Sequence, residues 1–164
     1  MTVSRLIVDG GGDPTRIVAD ADVLAADLLV GGSAREALDV LRSHSWLTLL
    51  ASEHLLADAE SVIAALADEQ LARDWSEKIC DLCELVEHPA ADQPALASAY
   101  RGGAGHVLSY DEQLASVETG TNIRSVMDAS VRHPRAFVTV FDAEALHEAV
   151  RDEPYPGPDR DPRA

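Results

Sequence analysis

One stretch constrains the fold of this chain more than any other: D-Q-P-A-L-A-S-A-Y-R-G-G-A-G-H-V-L-S-Y-D-E-Q-L, running from Asp92 to Leu114. Asp92 and Pro94 open a short helix, Gly102 and Gly103 stop it, and His106 to Ser109 reads as a buried strand leading to Asp111. A helix antiparallel to the strand it feeds has its N-terminus beside that strand's C-terminal end. Asp92 and Asp111 should therefore meet at one edge of a sheet. In open α/β sheets ligands bind at that edge, because the departing loops diverge there and leave a crevice.

The same alternation recurs along the chain. An apolar run from Arg16 ends at Asp20 and passes straight into a helical pattern. Gly31 and Gly32 break the chain, and Ser33 is placed to cap a helix to about His44, with Ala37, Leu38 and Leu41 on its apolar face. A strand from Trp46 to Ala51 leads to Ser52, the N-cap candidate of a helix that carries Asp58. Leu71, Trp75, Ile79, Leu82, Cys83 and Val86 recur at helical spacing, so one amphipathic helix is expected from Asp68 to Glu87. Cys80 and Cys83 then lie on that helix, and reduced helical cysteines are the simplest reading. Asn122 to Val131 holds a possible last strand, Pro134 fits a first helical turn, and Glu144 to Val150 should be helical. Alternating strands and helices imply a central, mostly parallel sheet with helices on both faces, a three-layer α/β/α fold. The expected organisation is an N-terminal arm or peripheral strand over 1–15, one domain over 16–150, and a Pro-rich charged tail over 151–164, too poor in apolar residues to order.

A chain of 164 residues suits a single core, and with aromatics at only 4% that core must be aliphatic. Charge narrows the function classes. Twenty-nine acids face 13 bases, for a net charge of −16, and Lys78 is the only lysine. Acid excess with lysine depletion resembles proteins of salt-accumulating microbes, in which molar salt shortens the Debye length to ~3 Å and makes the repulsion bearable. Such a surface argues against passive nucleic-acid binding, which draws on Lys and Arg releasing counterions. An enzyme that bridges phosphate to carboxylate through a cation escapes that objection. No run approaches the ~18 apolar residues of a membrane span and Met1 to Gly10 lacks signal-peptide features, so no membrane partner and a cytoplasmic location are expected.

Topology should bring Asp20, Asp58, Asp92 and Asp111 to the same C-terminal edge. Packed carboxylates raise one another's pKa unless a cation neutralises them, and oxygen-only ligation favours Mg²⁺ or Mn²⁺. Phosphodiester hydrolysis is the natural chemistry of such a centre. Ser52 and Ser109 are placed to orient ligands or water. Arg101, Arg124, Arg132 and Arg135 are the candidate RNA contacts.

These motifs resemble those of the PIN domain, a small metal-dependent ribonuclease fold, over roughly Arg16 to Leu146. V-A-D-A-D-V-L at Val18 to Leu24 is similar to the opening L-D-T-N-V-L, with Asp20 at the first acid and Asp22 where asparagine is usual. S-E-H-L-L-A-D at Ser52 to Asp58 resembles S-x-x-L-L-x-E, with the shorter Asp58 at the second acid. Asp92 with Leu96 and Ala99 resembles the D-x-x-x-L-x-x-A helix. V-L-S-Y-D-E-Q-L at Val107 to Leu114 resembles the T-G-D-K-D-L segment, placing Asp111 at the fourth acid, Ser109 at the threonine and Gln113 where many members carry another aspartate. Pro134 to Phe137 resembles the closing P-x-x-F. The resemblance implies a five-stranded parallel sheet, a homodimer, and Mg²⁺- or Mn²⁺-dependent RNA cleavage leaving a 5′-phosphate. Many members are toxins held by a partner antitoxin protein, while others process ribosomal or messenger RNA. A catalytically silent PIN-like module binding protein or RNA is the alternative. A phosphatase of haloacid-dehalogenase type, suggested by the D-x-D of Asp20 and Asp22, ranks below both.

Overall fold

The computed structural model describes residues 12–89, 93–111 and 129–163. Five parallel strands form its sheet in the order β3-β2-β1-β4-β5: β1 Asp13–Ala19, β2 Thr48–Ala51, β3 Cys83–Leu85, β4 Ala104–Leu108 and β5 Ser130–Arg132. The helices are α1 Ala21–Leu29, α2 Gly32–Arg42, α3 Glu53–Leu66, α4 Glu69–Leu82, α5 Pro94–Gly102, α6 Pro134–Val140 and α7 Ala143–Arg151. The chain moves from β1 to β3 in one direction across the sheet and returns to β4. Right-handed crossovers thus place α1 to α4 on one face and α5 on the other, giving three layers.

Covering both faces explains why the central strands read as unbroken apolar runs. Ile17, Val18 and Ala19 of β1, Leu49 to Ala51 of β2, and Val107 and Leu108 of β4 are all buried. The helices meet them through stripes at helical spacing: Ala34, Ala37, Leu38 and Leu41 from α2, and Leu55, Leu56, Ala59 and Ile63 from α3. Among the described residues the buried apolar core is aliphatic except for Trp75 and Phe137.

Several local expectations are corrected. β1 begins at Asp13, so the supposed arm supplies the start of the central strand. Gly31, at φ +86°, caps α2 in place of Ser33, which lies inside the helix. The helix expected to reach Glu87 stops at Leu82: Cys83 turns extended and Cys83–Leu85 pairs with β2. Apolar spacing cannot register that change, because the ladder offered by β2 overrides the local preference.

The tail is also ordered where the structure describes it. It holds on by polar contacts rather than apolar burial, which is why its composition is a poor guide. The Asp159 carboxylate accepts from the Ser45 N–H at 2.7 Å, the Asp159 N–H donates to the Ser43 carbonyl at 2.9 Å, and the Tyr155 hydroxyl lies 2.5 Å from Nε2 of His44. The Arg160 guanidinium donates to the carbonyls of Leu41 and His44, both at 3.2 Å.

Gly105 sets how closely β1 and β4 approach. The pairing shifts register between Asp13 and Ile17, and a Cβ at Gly105 would lie 2.7 Å from the Asp13 carbonyl oxygen and 2.9 Å from the Pro14 Cα. Backbone atoms cannot swing aside as a flexible side chain can. Gly105→Ala should therefore force the central pair apart and lower the unfolding free energy by about 1–3 kcal/mol, the usual cost of overpacking, read from urea denaturation.

Candidate functional site

Strands β1, β2 and β4 each end in a polar residue at the C-terminal edge: Asp20, Ser52 and Ser109. The backbone ladder carries on past the strands, with the Asp20 N–H donating to the Leu108 carbonyl at 2.8 Å and the Ser109 N–H to the Arg132 carbonyl at 3.0 Å. Asp20 and Ser109 are thereby fixed side by side.

Their side chains complete the arrangement. One oxygen of Asp20 caps α1, accepting from the Ala21 N–H at 2.8 Å, and the other accepts the Ser109 hydroxyl at 3.0 Å. Ser109 is fully buried, and its Oγ in turn accepts the Asp111 N–H at 3.0 Å. A single hydroxyl thus orients the first acid and anchors the backbone of the last. Asp22, one residue into α1's first turn, accepts the Tyr110 N–H at 3.2 Å. Its carboxyl is raised above the ordinary range by burial and then by the charge of Asp20. Backbone N–H groups of Val23 and Tyr110 oppose the rise and Asp111 adds to it. Asp20, Asp22 and Asp111 consequently form one electrostatically coupled group.

The other sequence-predicted residues distribute unevenly. Ser52 is buried and caps α3, accepting the Leu55 N–H at 3.1 Å. Asp58 is exposed on the second turn of α3. Asp92, Gln113 and Arg124 lie outside the described residues. Arg101 lines a cleft next to β2 and β3, whereas Arg132 and Arg135 belong to β5 and α6 at the other side of the sheet. The arginines do not form one cluster; they flank the acidic edge. Among the described residues no three His, Cys, Asp or Glu side chains stand close enough together to hold a metal ion.

The cleft, about 500 Å³, is the feature that sequence reasoning missed. Glu53 and His54 enter it from the start of α3, Glu87 and His88 from the segment after β3. The two imidazoles have ring centroids 5.3 Å apart, and Nε2 of His88 sits 3.3 Å from the buried Ser98 hydroxyl. The available signal was the Glu-His pair repeated after two strands. Without β3 recognised, its second copy had no place on the edge.

The fold and its edge can now be set beside known proteins. The model of a family of unknown function, DUF7384, matches residues 11–163. The chain belongs to the DUF7384 family. The match runs from β1 through the docked tail, so the DUF7384 region takes in every described element. No curated protein and no solved structure matches the chain significantly.

One half-buried titratable group of this DUF7384 chain lies on β4 without belonging to the acidic group. His106 of β4 packs edge-on against Phe137, with ring centroids 5.3 Å apart, and its Nδ1 is buried without a partner. Burial, and secondarily the charge of Arg132, holds its pKa down at about 4. The folded chain thus declines a proton that the unfolded chain accepts, so stability falls as pH drops from about 6.5 towards 4. His106→Leu should flatten that part of the profile, measured as the urea midpoint of variant and wild type across the same pH range.

Proposed function

We propose that this protein is a divalent-metal-dependent endoribonuclease working at the acidic C-terminal edge of its sheet. The observation that carries the reading is the hydrogen-bonded run Asp20–Ser109–Asp111 with Asp22 beside it. Burial, and after it the charge of Asp20, raises Asp22, and a cation at this edge would relieve the repulsive part. The resemblance to PIN domains and the β3-β2-β1-β4-β5 order agree with it.

The donor set is all oxygen, which fits Mg²⁺ or Mn²⁺, and Asp20 and Asp111, joined by Asp92, would hold the ion. When bound, the ion supplies positive charge to a phosphodiester and acidifies water for attack. The chain's own residues do the rest. Ser109 keeps the Asp20 carboxylate in one orientation, and capping α1 prevents it from turning away. Arg101 on one side and Arg132 with Arg135 on the other offer contacts to the strand's phosphates, which the surrounding acids would otherwise repel. A homodimer, a cytoplasmic location and a role either as a toxin under an antitoxin or in RNA processing belong to the same PIN-like reading. A silent PIN-like binding module is the second reading, favoured by Asp58 facing solvent where a metal-binding glutamate is usual.

Mn²⁺ binding measured by calorimetry in molar KCl separates them. The enzyme reading expects a saturable site whose occupancy at ~100-fold excess over Kd stabilises the fold by about 2.7 kcal/mol. Asp20→Asn and Asp111→Asn should abolish it, and Ser109→Ala should weaken it by roughly 10–100-fold. A single-stranded RNA should be cut to 5′-phosphate ends by wild type and not by Asp20→Asn. Non-saturating binding indifferent to the substitutions, with intact RNA, would leave the silent module.

A further inference from the structure

A second groove, of about 660 Å³, opens far from the carboxylates. Its walls come from the C-terminal end of α1, from α2, from α4 and from the docked tail. Leu82 at its margin immediately precedes β3, so the groove lies towards the N-terminal edge of the sheet, opposite the acids.

Its charge is anomalous for this chain. Of the 13 cationic residues, five line this one groove: Arg35, Arg42, Lys78, Arg160 and Arg163. Three carboxylates accompany them, in a protein whose acids otherwise outnumber its bases by more than two to one. The internal pairing leaves part of that charge uncompensated. Arg42 is matched by the buried Asp27, whereas the pair of Arg163 with Asp39 is open to solvent and screened, which leaves that guanidinium able to turn to an anion. Arg35 instead donates to the main-chain carbonyls of Asp27, at 3.1 and 2.9 Å, and of Leu28, at 3.2 Å, while Arg160 donates to carbonyls and shares its charge with the neighbouring Asp159. The carbonyls are neutral. Exposed Lys78 forms no ion pair among the described residues.

The groove also has an apolar side, formed by half-buried Leu28 and Leu82 with the nearly buried Ile79 and Trp75 behind them. The Trp75 indole N–H is buried and has no acceptor among the described residues. An inorganic anion would use the cations and leave this surface idle, and an apolar ligand would leave the cations unanswered. A flat ring system joined to a phosphate uses both, and the volume is in the range of small-ligand sites.

We propose that this groove binds a nucleoside phosphate, its base against Leu28 and Leu82 and its phosphate between Lys78, Arg160 and Arg163. The ligand is either a free nucleotide or a nucleotide of an RNA strand. The site is independent of the acidic edge and does not rest on the nuclease reading.

Calorimetric titration of the full chain, with EDTA present to suppress any cleavage, tests it. The probes are AMP, adenosine, inorganic phosphate and a single-stranded hexaribonucleotide, each in low and in molar KCl. AMP should bind with one-to-one stoichiometry and about tenfold or more tighter than adenosine or phosphate, since each lost charge-assisted contact is worth roughly that factor. Lys78→Ala with Arg163→Ala, both at exposed positions, should weaken AMP about tenfold or more and leave the melting curve in place. Asp20→Asn should leave AMP binding unchanged whatever it does to Mn²⁺. If the hexaribonucleotide binds more tightly and competes with AMP, the strand is the source of the nucleotide; if AMP binds more tightly, the free nucleotide is. Absence of saturable binding by both, equal binding of phosphate alone, or indifference to the Lys78 and Arg163 substitutions would each overturn the proposal.

Discussion

The pairing of β1 with β4 is the contact on which the rest of the structure depends. It joins the central strand to the strand that leads into the acidic edge, and its last rung is the Asp20 N–H on the Leu108 carbonyl. Because that rung fixes Asp20 next to Ser109, a hydroxyl with no solvent contact can orient a carboxylate that is only half-buried. Gly105 permits the close approach of the two strands at the other end, where the pairing shifts register. Removing a methyl's worth of space there would be felt at the site.

Electrostatics divides the molecule. At the C-terminal edge the sheet gathers like charges, which is unfavourable unless something cationic joins them; Asp22 is raised first by burial and then by the charge of Asp20. At the opposite edge a third or more of the chain's few cations converge, two of them hydrogen-bonded to carbonyls at helix ends. Helix C-termini favour cations through their unpaired carbonyls, so these arginines fasten α1 and α2 and still present charge to a ligand. The tail contributes to this second edge, which gives its docking a consequence beyond stability. Two chemically opposite surfaces are thereby kept on opposite ends of one sheet, out of each other's reach in salt.

The acids that proved to be coupled were legible because each follows an apolar run: a strand at the sheet's centre is buried on both faces, so the residue after it is the first that can meet solvent. Asp20, Ser109 and Asp111 were found on that signal, and Ser52 and Pro134 on cap and first-turn preferences that act within a few residues. β3 was not legible. Its three residues continue the apolar spacing of α4, and only the free edge of β2 turns them into a strand. With β3 hidden, His88 could not be brought opposite His54, and the cleft between them stayed out of view.

The sequence alone therefore determined the alternation of strands and helices, the aliphatic core and the acid-terminated strands, since each is a matter of local preference and of which residues can be taken out of water. Tertiary structure decided what depends on distance between remote segments. It converted a segment read as helix into an edge strand and docked a tail that composition marked as disordered. It also turned Asp58 towards solvent and assembled a basic groove from arginines and a lysine scattered between Arg35 and Arg163. No local pattern reports such meetings, because the partners that satisfy each charge and each backbone group are supplied by distant parts of the chain.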